Sequence, residues 1–140
     1  MKFESAIHID APPARVYEVF SDVERWPEWT ESVTSVERLD QGPLQVGSKA
    51  RIKQPRLPVA VWEVTEVVDG SHFVWVATGP GTRTIGGHYV EADGNGAKAI
   101  SRIEQQGPGG WLIGTLYKGL TNRYLEIEGA GLKARSEKTA

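Results

Sequence analysis

Apolar and polar residues alternate over the first ten positions of the chain. One face of residues 3–9 carries Phe3, Ser5, Ile7 and Ile9, and the other carries Glu4, Ala6 and His8. A period of two is typical of a half-buried strand, because successive side chains of a strand point to opposite faces. The pattern therefore predicts that the chain opens with a strand.

Two short helices are predicted to follow this strand. Consecutive prolines at positions 12 and 13 suit the first turn of a helix, and Val16, Val19 and Phe20 then recur at helical spacing. This helix is predicted to end near Ser21. A second helical turn is predicted over residues 22–25, before Pro27 stops it.

The middle of the chain is a series of apolar segments separated by turn residues. Gly, Pro, Asp and Asn cluster between them, and such clusters mark turns. Consecutive strands joined by links this short are antiparallel neighbours, because a parallel crossover needs a dozen or more residues. The six predicted strands of this meander span residues 32–39, 47–54, 59–68, 72–78, 82–92 and 97–106.

The last segment has the periodicity of a long helix. Leu112, Leu116, Leu120, Tyr124 and Ile127 recur at helical spacing after Trp111. About 26 residues at 1.5 Å per residue predict a rod of roughly 39 Å, which is long enough to cross the sheet. Three glycines, Gly119, Gly129 and Gly131, predict either close packing against another element or fraying of the helix. The tail after about residue 133 is polar and is expected to be loose.

Composition and charge narrow the class of protein. A chain of 140 residues predicts a single domain over residues 1–140. There is no cysteine, so disulfides and thiolate metal sites are excluded. The net charge is −2 and the basic residues are scattered, which argues against electrostatically driven binding to nucleic acid or to an anionic membrane. No signal peptide and no stretch of membrane-spanning length is visible, so a cytoplasmic protein without integral membrane association is expected.

Four stretches of the chain resemble a known superfamily. They are Ile9-Asp10-Ala11-Pro12 followed by Val16; Asp22 with Trp26-Pro27-Glu28-Trp29; Trp62-Glu63-Val64-Thr65-Glu66-Val67-Val68 leading to Phe73-Val74-Trp75; and Ala97 to Glu104. Together with the element order, they resemble the START-like or SRPBCC superfamily, specifically its polyketide cyclase/dehydrase-like branch. The resemblance implies an α+β helix-grip fold: a curved antiparallel sheet of about seven strands around a long C-terminal helix, with two short helices between strands 1 and 2.

This fold predicts a gap between the sheet and the long helix, because a strongly curved sheet cannot pack its whole concave face against one helix. Alternation on the last strand places Lys98, Ile100, Arg102 and Glu104 outside and the intervening residues inside. The aromatic residues either pack in the core or line the cavity, and the sequence leaves both alternatives open. Trp26 and Trp29 are expected to pack the short helices against the sheet. The predicted cavity residues are Trp62, Val64, Phe73, Trp75, Ala99, Ser101, Ile103, Leu116, Tyr117, Leu120 and Tyr124.

Candidate catalytic residues are few. His88, Arg123 and Tyr117 are the candidates for a catalytic role, from a wider polar supply that also includes Arg51, Glu66 and Ser101. His88 faces either the cavity or the outside, since Tyr89 competes for the interior, and Arg123 either faces a ligand or extends to solvent. The three histidines lie in separate strands without metal-site spacing, so neither a metal nor another cofactor is predicted.

Three functions remain compatible with the sequence. The first is binding of a small hydrophobic ligand, such as a lipid, quinone or polyketide-like aromatic, by a monomer or homodimer. The second is a polyketide cyclase, aromatase or dehydratase that uses general acid–base chemistry in the same cavity. The third is a protein-interaction module. A dry cavity favours the first, a polar pair within hydrogen-bond reach the second, and a collapsed cavity with an exposed apolar patch the third.

Overall fold

The computed structural model describes residues 1–138. Seven strands are present: β1 (Lys2–Ile9), β2 (Ser35–Arg38), β3 (Lys49–Lys53), β4 (Ala60–Val68), β5 (His72–Gly79), β6 (Thr82–Asp93) and β7 (Gly96–Gln106). The helices are α1 (Pro13–Ser21), a 3₁₀ helix (Val23–Glu28), α2 (Gly110–Leu116) and α3 (Lys118–Glu137). Both short helices fall between β1 and β2, where the sequence predicts them.

All seven strands form one antiparallel sheet. Its spatial order is β1-β7-β6-β5-β4-β3-β2, so β2 to β7 form the predicted meander and β1 adds to its far side. A helix-grip fold of about seven strands is thereby confirmed. The first meander strand is shorter than predicted, because Ser32 and Val33 are buried in the preceding loop and only Ser35–Arg38 pair with β3.

The C-terminal segment differs from the predicted single rod. It is divided at Tyr117, whose backbone angles of φ −103° and ψ 17° leave the helical region, so that α2 and α3 are separate helices. The helix also continues past residue 133 to Glu137, contrary to the expected loose tail. Ser136 is buried, and a Glu137 carboxylate oxygen accepts a hydrogen bond of 2.8 Å from the Asp10 N–H. The expectation for residues 139–140 lies outside the described residues.

The three helical glycines have different surroundings. A Cβ built on Gly131 would lie 1.9 Å from the Trp29 carbonyl oxygen, so this glycine allows α3 to pack directly on the loop after the 3₁₀ helix. A Cβ on Gly129 would make an ordinary contact of 3.7 Å with Ile7, and one on Gly119 would meet nothing within 4 Å. Close packing therefore explains Gly131 alone.

The core lies between the inner face of the sheet and the helices. Trp26 of the 3₁₀ helix is buried against Trp75 with ring centroids 5.4 Å apart, and its Nε1–H donates a 2.9 Å hydrogen bond to the Phe20 carbonyl. Trp29 packs beside Trp26 at 5.8 Å. Trp26 therefore packs the 3₁₀ helix against the sheet, as the sequence predicts. Trp29 instead lies between Trp26 and α3, and its buried Nε1–H has no partner among the described residues.

Candidate functional site

The inner face of the sheet holds most of the predicted cavity residues. Six of them are buried there: Trp62, Val64, Phe73, Trp75, Ala99 and Ser101. Four others are half-buried: Ile103, Tyr117, Leu120 and Tyr124. Leu116 is exposed at the end of α2 and does not belong to this interior, because the break at Tyr117 changes the direction of the helical face that the uninterrupted pattern predicts.

His88 lies inside the protein, which settles its orientation. Its ring stacks on Phe73 with centroids 4.2 Å apart and is also surrounded by Phe20, Trp26 and Trp75. The Nδ1–H donates a hydrogen bond of 3.2 Å to the Phe73 carbonyl. Burial among these rings lowers the pKa of His88 to about 3, and the hydrogen bond opposes this shift only partly. The imidazole is therefore neutral at physiological pH, with Nε2 as its acceptor nitrogen.

Glu128 of α3 is a buried carboxyl group. Its Oε1 accepts a hydrogen bond of 3.3 Å from the Ser101 hydroxyl on β7. Burial raises the pKa of Glu128 to about 7, and the Ser101 hydroxyl lowers it only slightly against that effect. Near neutral pH this group is divided between its acid and its carboxylate forms, so it can donate or accept a proton.

These polar groups form one cluster. His88 and Ser101 are paired directly across β6 and β7, and Ser101 joins Glu128 above the sheet. Directly opposed residues of an antiparallel pair have Cβ atoms about 4.5–5.5 Å apart. We call His88, Ser101 and Glu128 the interior polar cluster. It combines a neutral imidazole among aromatic rings with a hydroxyl on the paired strand position, which is hydrogen-bonded to a carboxyl of raised pKa.

Trp62 adds an unpaired donor to the same face. Its Nε1 is buried and has no hydrogen-bond partner among the described residues. The ring lies beside Trp75, with centroids 5.8 Å apart, on the inner side of β4. An unpaired buried N–H costs about 1–3 kcal/mol, so this group favours a bound oxygen atom as its partner.

The other candidate residues lie away from this cluster. Arg123 is exposed, so it takes the solvent-facing alternative. Arg51 pairs with Glu37, and Glu66 accepts a 2.7 Å hydrogen bond from His72, both on the exposed side of the sheet. Tyr117 is the residue at the break between α2 and α3. None of these four is hydrogen-bonded to the interior polar cluster in the described structure.

The C-terminal helix leaves one side of the inner face lightly covered. Its main contacts are with β1, α1 and β7, at the opposite side from β3 and β4. On the β3–β4 side the Tyr124 hydroxyl donates a hydrogen bond to the Pro55 carbonyl. This hydrogen bond links α3 to the β3–β4 loop.

Three cavities of the described structure lie elsewhere. The largest, about 1020 Å³, is lined by residues of β4, β5 and β6 such as Val61, Glu63 and Val76. A second, of about 390 Å³, lies over Tyr89 and Arg102 on the outer face, and a third, of about 270 Å³, lies between α1 and α3. None of these three lies over the interior polar cluster, so none of them is the cavity that the sequence predicts between the sheet and the long helix.

Sequence reasoning missed Glu128. The residue lies four positions after Tyr124 and eight after Leu120, so it continues the same helical row that the apolar pattern marks as inward. Glutamate on a helix is usually solvated, which hides this signal. Among residues 1–138, no group of three or more His, Asp or Glu side chains is placed to hold a metal ion.

The chain belongs to the family described as polyketide cyclase/dehydrase and lipid transport, whose pattern matches residues 1–137, and so to the START-like or SRPBCC superfamily. Comparison with curated proteins finds no significant match. In residues 1–138 no helix is long and apolar enough to cross a membrane.

Several solved structures share this fold. The Zhui aromatase/cyclase from Streptomyces sp. R1128 is 15% identical, with a TM-score of 0.78 over 98% of this chain and 93% of that one. TTHA0849 from Thermus thermophilus is 20% identical, with a TM-score of 0.77 over 97% of both chains. The Aha1 dimer from Colwellia psychrerythraea is 18% identical, with a TM-score of 0.70 over 98% and 96%. At these identities the likeness shows the helix-grip fold alone.

Proposed function

We propose that this protein binds a small, largely apolar molecule that carries a hydroxyl or carbonyl group, between the inner face of the sheet and α3. The observation that carries the proposal is the interior polar cluster. A few polar groups within an apolar interior are typical of ligand binding, and the buried Trp62 Nε1–H on the same face has no partner among the described residues. The family description, which includes both cyclases and lipid transport, supports the same class of ligand.

In this proposal the ligand lies along the inner face from β7 to β4 and meets polar groups at both ends. Glu128 and Ser101 offer a donor and acceptor on the β7 side. The unpaired Trp62 Nε1–H offers a second donor on the β4 side. The rings of Phe73 and Trp75 lie between these strands and provide apolar and aromatic contact. A lipid, quinone or polyketide-like aromatic satisfies these requirements.

Native mass spectrometry of the gently purified protein, followed by organic extraction, tests whether such a molecule accompanies it. A stoichiometric apolar compound with an oxygen function is expected. A protein that carries nothing and also fails to bind naphthalene or 2-naphthol would sink the proposal.

The two naphthalene probes test the role of Glu128. We expect 2-naphthol to bind at least tenfold more tightly than naphthalene, because an unpaired buried polar group costs about 1–3 kcal/mol. In Glu128→Leu this preference is expected to disappear while naphthalene still binds. Glu126→Leu, which alters an exposed residue of the same helix, is the matched control and is expected to keep the preference.

A second candidate function is supported by the pKa values of the cluster. Glu128, with a pKa near 7, can remove a proton next to a ligand carbonyl, and the protonated acid can then return it to a departing hydroxyl as water leaves. His88 stays neutral and can accept a proton at Nε2. This arrangement supports aldol cyclisation or dehydration of a poly-β-ketone.

Glu128→Gln separates binding from catalysis. The amide still donates a hydrogen bond but cannot transfer a proton, so 2-naphthol binding is expected to persist. If the protein is a cyclase or dehydratase, turnover of a poly-β-ketone thioester is expected to fall by a factor of about 10²–10⁴ in this variant. Equal turnover in both proteins would exclude Glu128 as the acid or base.

A further inference from the structure

Helix α2 presents its large apolar side chains to solvent. Trp111 is 68% exposed, Leu112 62% and Leu116 71%. We call these three residues the α2 apolar face. A surface helix normally turns such residues toward the core, so the orientation of α2 is the reverse of the usual one.

The side of α2 that faces the protein is built from glycine. A Cβ on Gly110 would lie 3.0 Å from the Gln105 carbonyl carbon, and one on Gly114 would lie 2.8 Å from the Met1 sulfur. The helix therefore packs closely on β7 and Met1 through its glycines. Larger side chains at these two positions would press on the Gln105 backbone and on the Met1 side chain, so this close packing favours the apolar residues of α2 on the outside.

The charged residues of this segment of the chain are positive. Residues 110–124 contain Lys118 and Arg123 but no Asp or Glu, although the chain as a whole has a net charge of −2. Both cations are exposed in the first two turns of α3, directly after the α2 apolar face. The scattered charges of the whole sequence conceal this local arrangement.

We propose that the α2 apolar face inserts into the surface of a lipid bilayer that contains anionic headgroups. Tryptophan favours the membrane–water boundary, leucine reaches the acyl region, and neighbouring lysine and arginine attract anionic lipid. A second copy of the chain is a poorer fit, because a standard protein interface takes about 20–30 residues on each side, whereas this face has three large side chains. Insertion of the apolar side chains provides most of the binding free energy, and attraction between the two cations and anionic headgroups adds to it.

Co-sedimentation with phosphatidylcholine vesicles, with and without phosphatidylglycerol, tests this interaction. We expect binding to the mixed vesicles that falls at least tenfold in Leu112→Ser/Leu116→Ser. Val46→Ser changes a residue that is 66% exposed in the loop before β3 and is expected to bind like the parent protein. Bromine-labelled acyl chains are expected to quench tryptophan fluorescence in the parent protein and not in Trp111→Phe.

The changed residues are exposed, so circular dichroism and the thermal midpoint of each variant should match those of the parent. Lack of binding to either kind of vesicle would overturn the proposal. Binding that salt abolishes and that both leucine substitutions leave intact would also overturn it. A dimer in sedimentation that Leu112→Ser/Leu116→Ser dissociates, without vesicle binding, would assign the face to a second copy instead.

Discussion

The Glu128→Gln variant is expected to lose stability as the pH falls from 6.5 to 4.5, over a range in which the parent protein stays nearly constant. The pKa of His88 is about 3 in the folded protein, against an ordinary value of 6.5. Its folded-state pKa is lowered, so its contribution to stability is lost as the pH falls below 6.5. One pKa unit corresponds to about 1.4 kcal/mol, and the loss across this range reaches roughly 2 kcal/mol, because His88 of the unfolded chain is already half protonated at pH 6.5.

Glu128 has the opposite effect in the parent protein. Its pKa is raised from an ordinary value of 4.5 to about 7, so its contribution is fully present below pH 4.5 and is lost as the pH rises toward 7. Between pH 4.5 and 6.5, His88 and Glu128 therefore change the free energy of unfolding with pH in opposite directions. In His88→Gln only the pH dependence due to Glu128 remains, so this variant is expected to gain roughly 2 kcal/mol on acidification over the same range.

Urea unfolding at several pH values measures both slopes. The expected pattern is a flat profile for the parent protein and slopes of opposite sign for the two variants. Exposed carboxyl groups whose pKa values are lowered by ion pairs or hydrogen bonds, such as Glu28 and Asp40, act mainly below this range. Parallel profiles in all three proteins would show that neither group is buried as described.

Gly131→Ala is expected to lower the free energy of unfolding by about 2–3 kcal/mol. The added methyl group would lie 1.9 Å from the Trp29 carbonyl oxygen, so α3 or the loop after the 3₁₀ helix must move. This cost exceeds the gain of about 1 kcal/mol that alanine normally brings to a helix interior.

Gly129→Ala is the matched control two residues earlier in the same helix. Its methyl group would make an ordinary contact with Ile7, so the variant is expected to be up to about 1 kcal/mol more stable than the parent. Thermal and urea unfolding of the two variants measure the difference. Similar stabilities would mean that α3 does not pack closely on Trp29.

The sheet is predictable from the sequence because alternation within each strand and turn residues between strands are both visible in short stretches of the chain. The alternation on β7 correctly places Ser101 on the inner face and Arg102 on the outer face. The short turns between strands allow only antiparallel pairing in the meander. The observed strand ends differ from the predicted ones by up to three residues, because hydrogen-bonded pairing with a neighbouring strand decides where a strand begins, and apolar content does not.

The interior polar cluster is less accessible from the sequence. His88 follows two glycines. Because glycine has no side chain, the alternation of apolar and polar residues is interrupted there, and the sequence does not show on which face of the strand His88 lies. Tyr89 takes the outer face instead, where Arg102 lies 4.8 Å above its ring. Glu128 is buried only because α3 crosses β7 at Ser101, which is a tertiary contact between distant parts of the chain. Local patterns do not contain such crossings.

The break at Tyr117 also has no local marker. Leucines continue through it at helical spacing, so the pattern predicts one uninterrupted inner face. Packing of Gly110 and Gly114 on β7 and Met1 instead turns Leu112 and Leu116 outward. The glycines are visible in the sequence, but the surface against which they pack is not.

The most direct test of the interior site is a titration of the ¹⁵N-labelled protein with 2-naphthol, followed through the indole N–H signals of its five tryptophans. Trp62→Phe and Trp111→Phe assign the two signals that matter. Binding between the sheet and α3 predicts a large, saturable shift of the Trp62 signal, because an aromatic ligand on the inner face changes the magnetic environment of this buried indole, with Trp111 unchanged. A Trp62 signal that stays in place while Trp111 shifts would contradict the interior site.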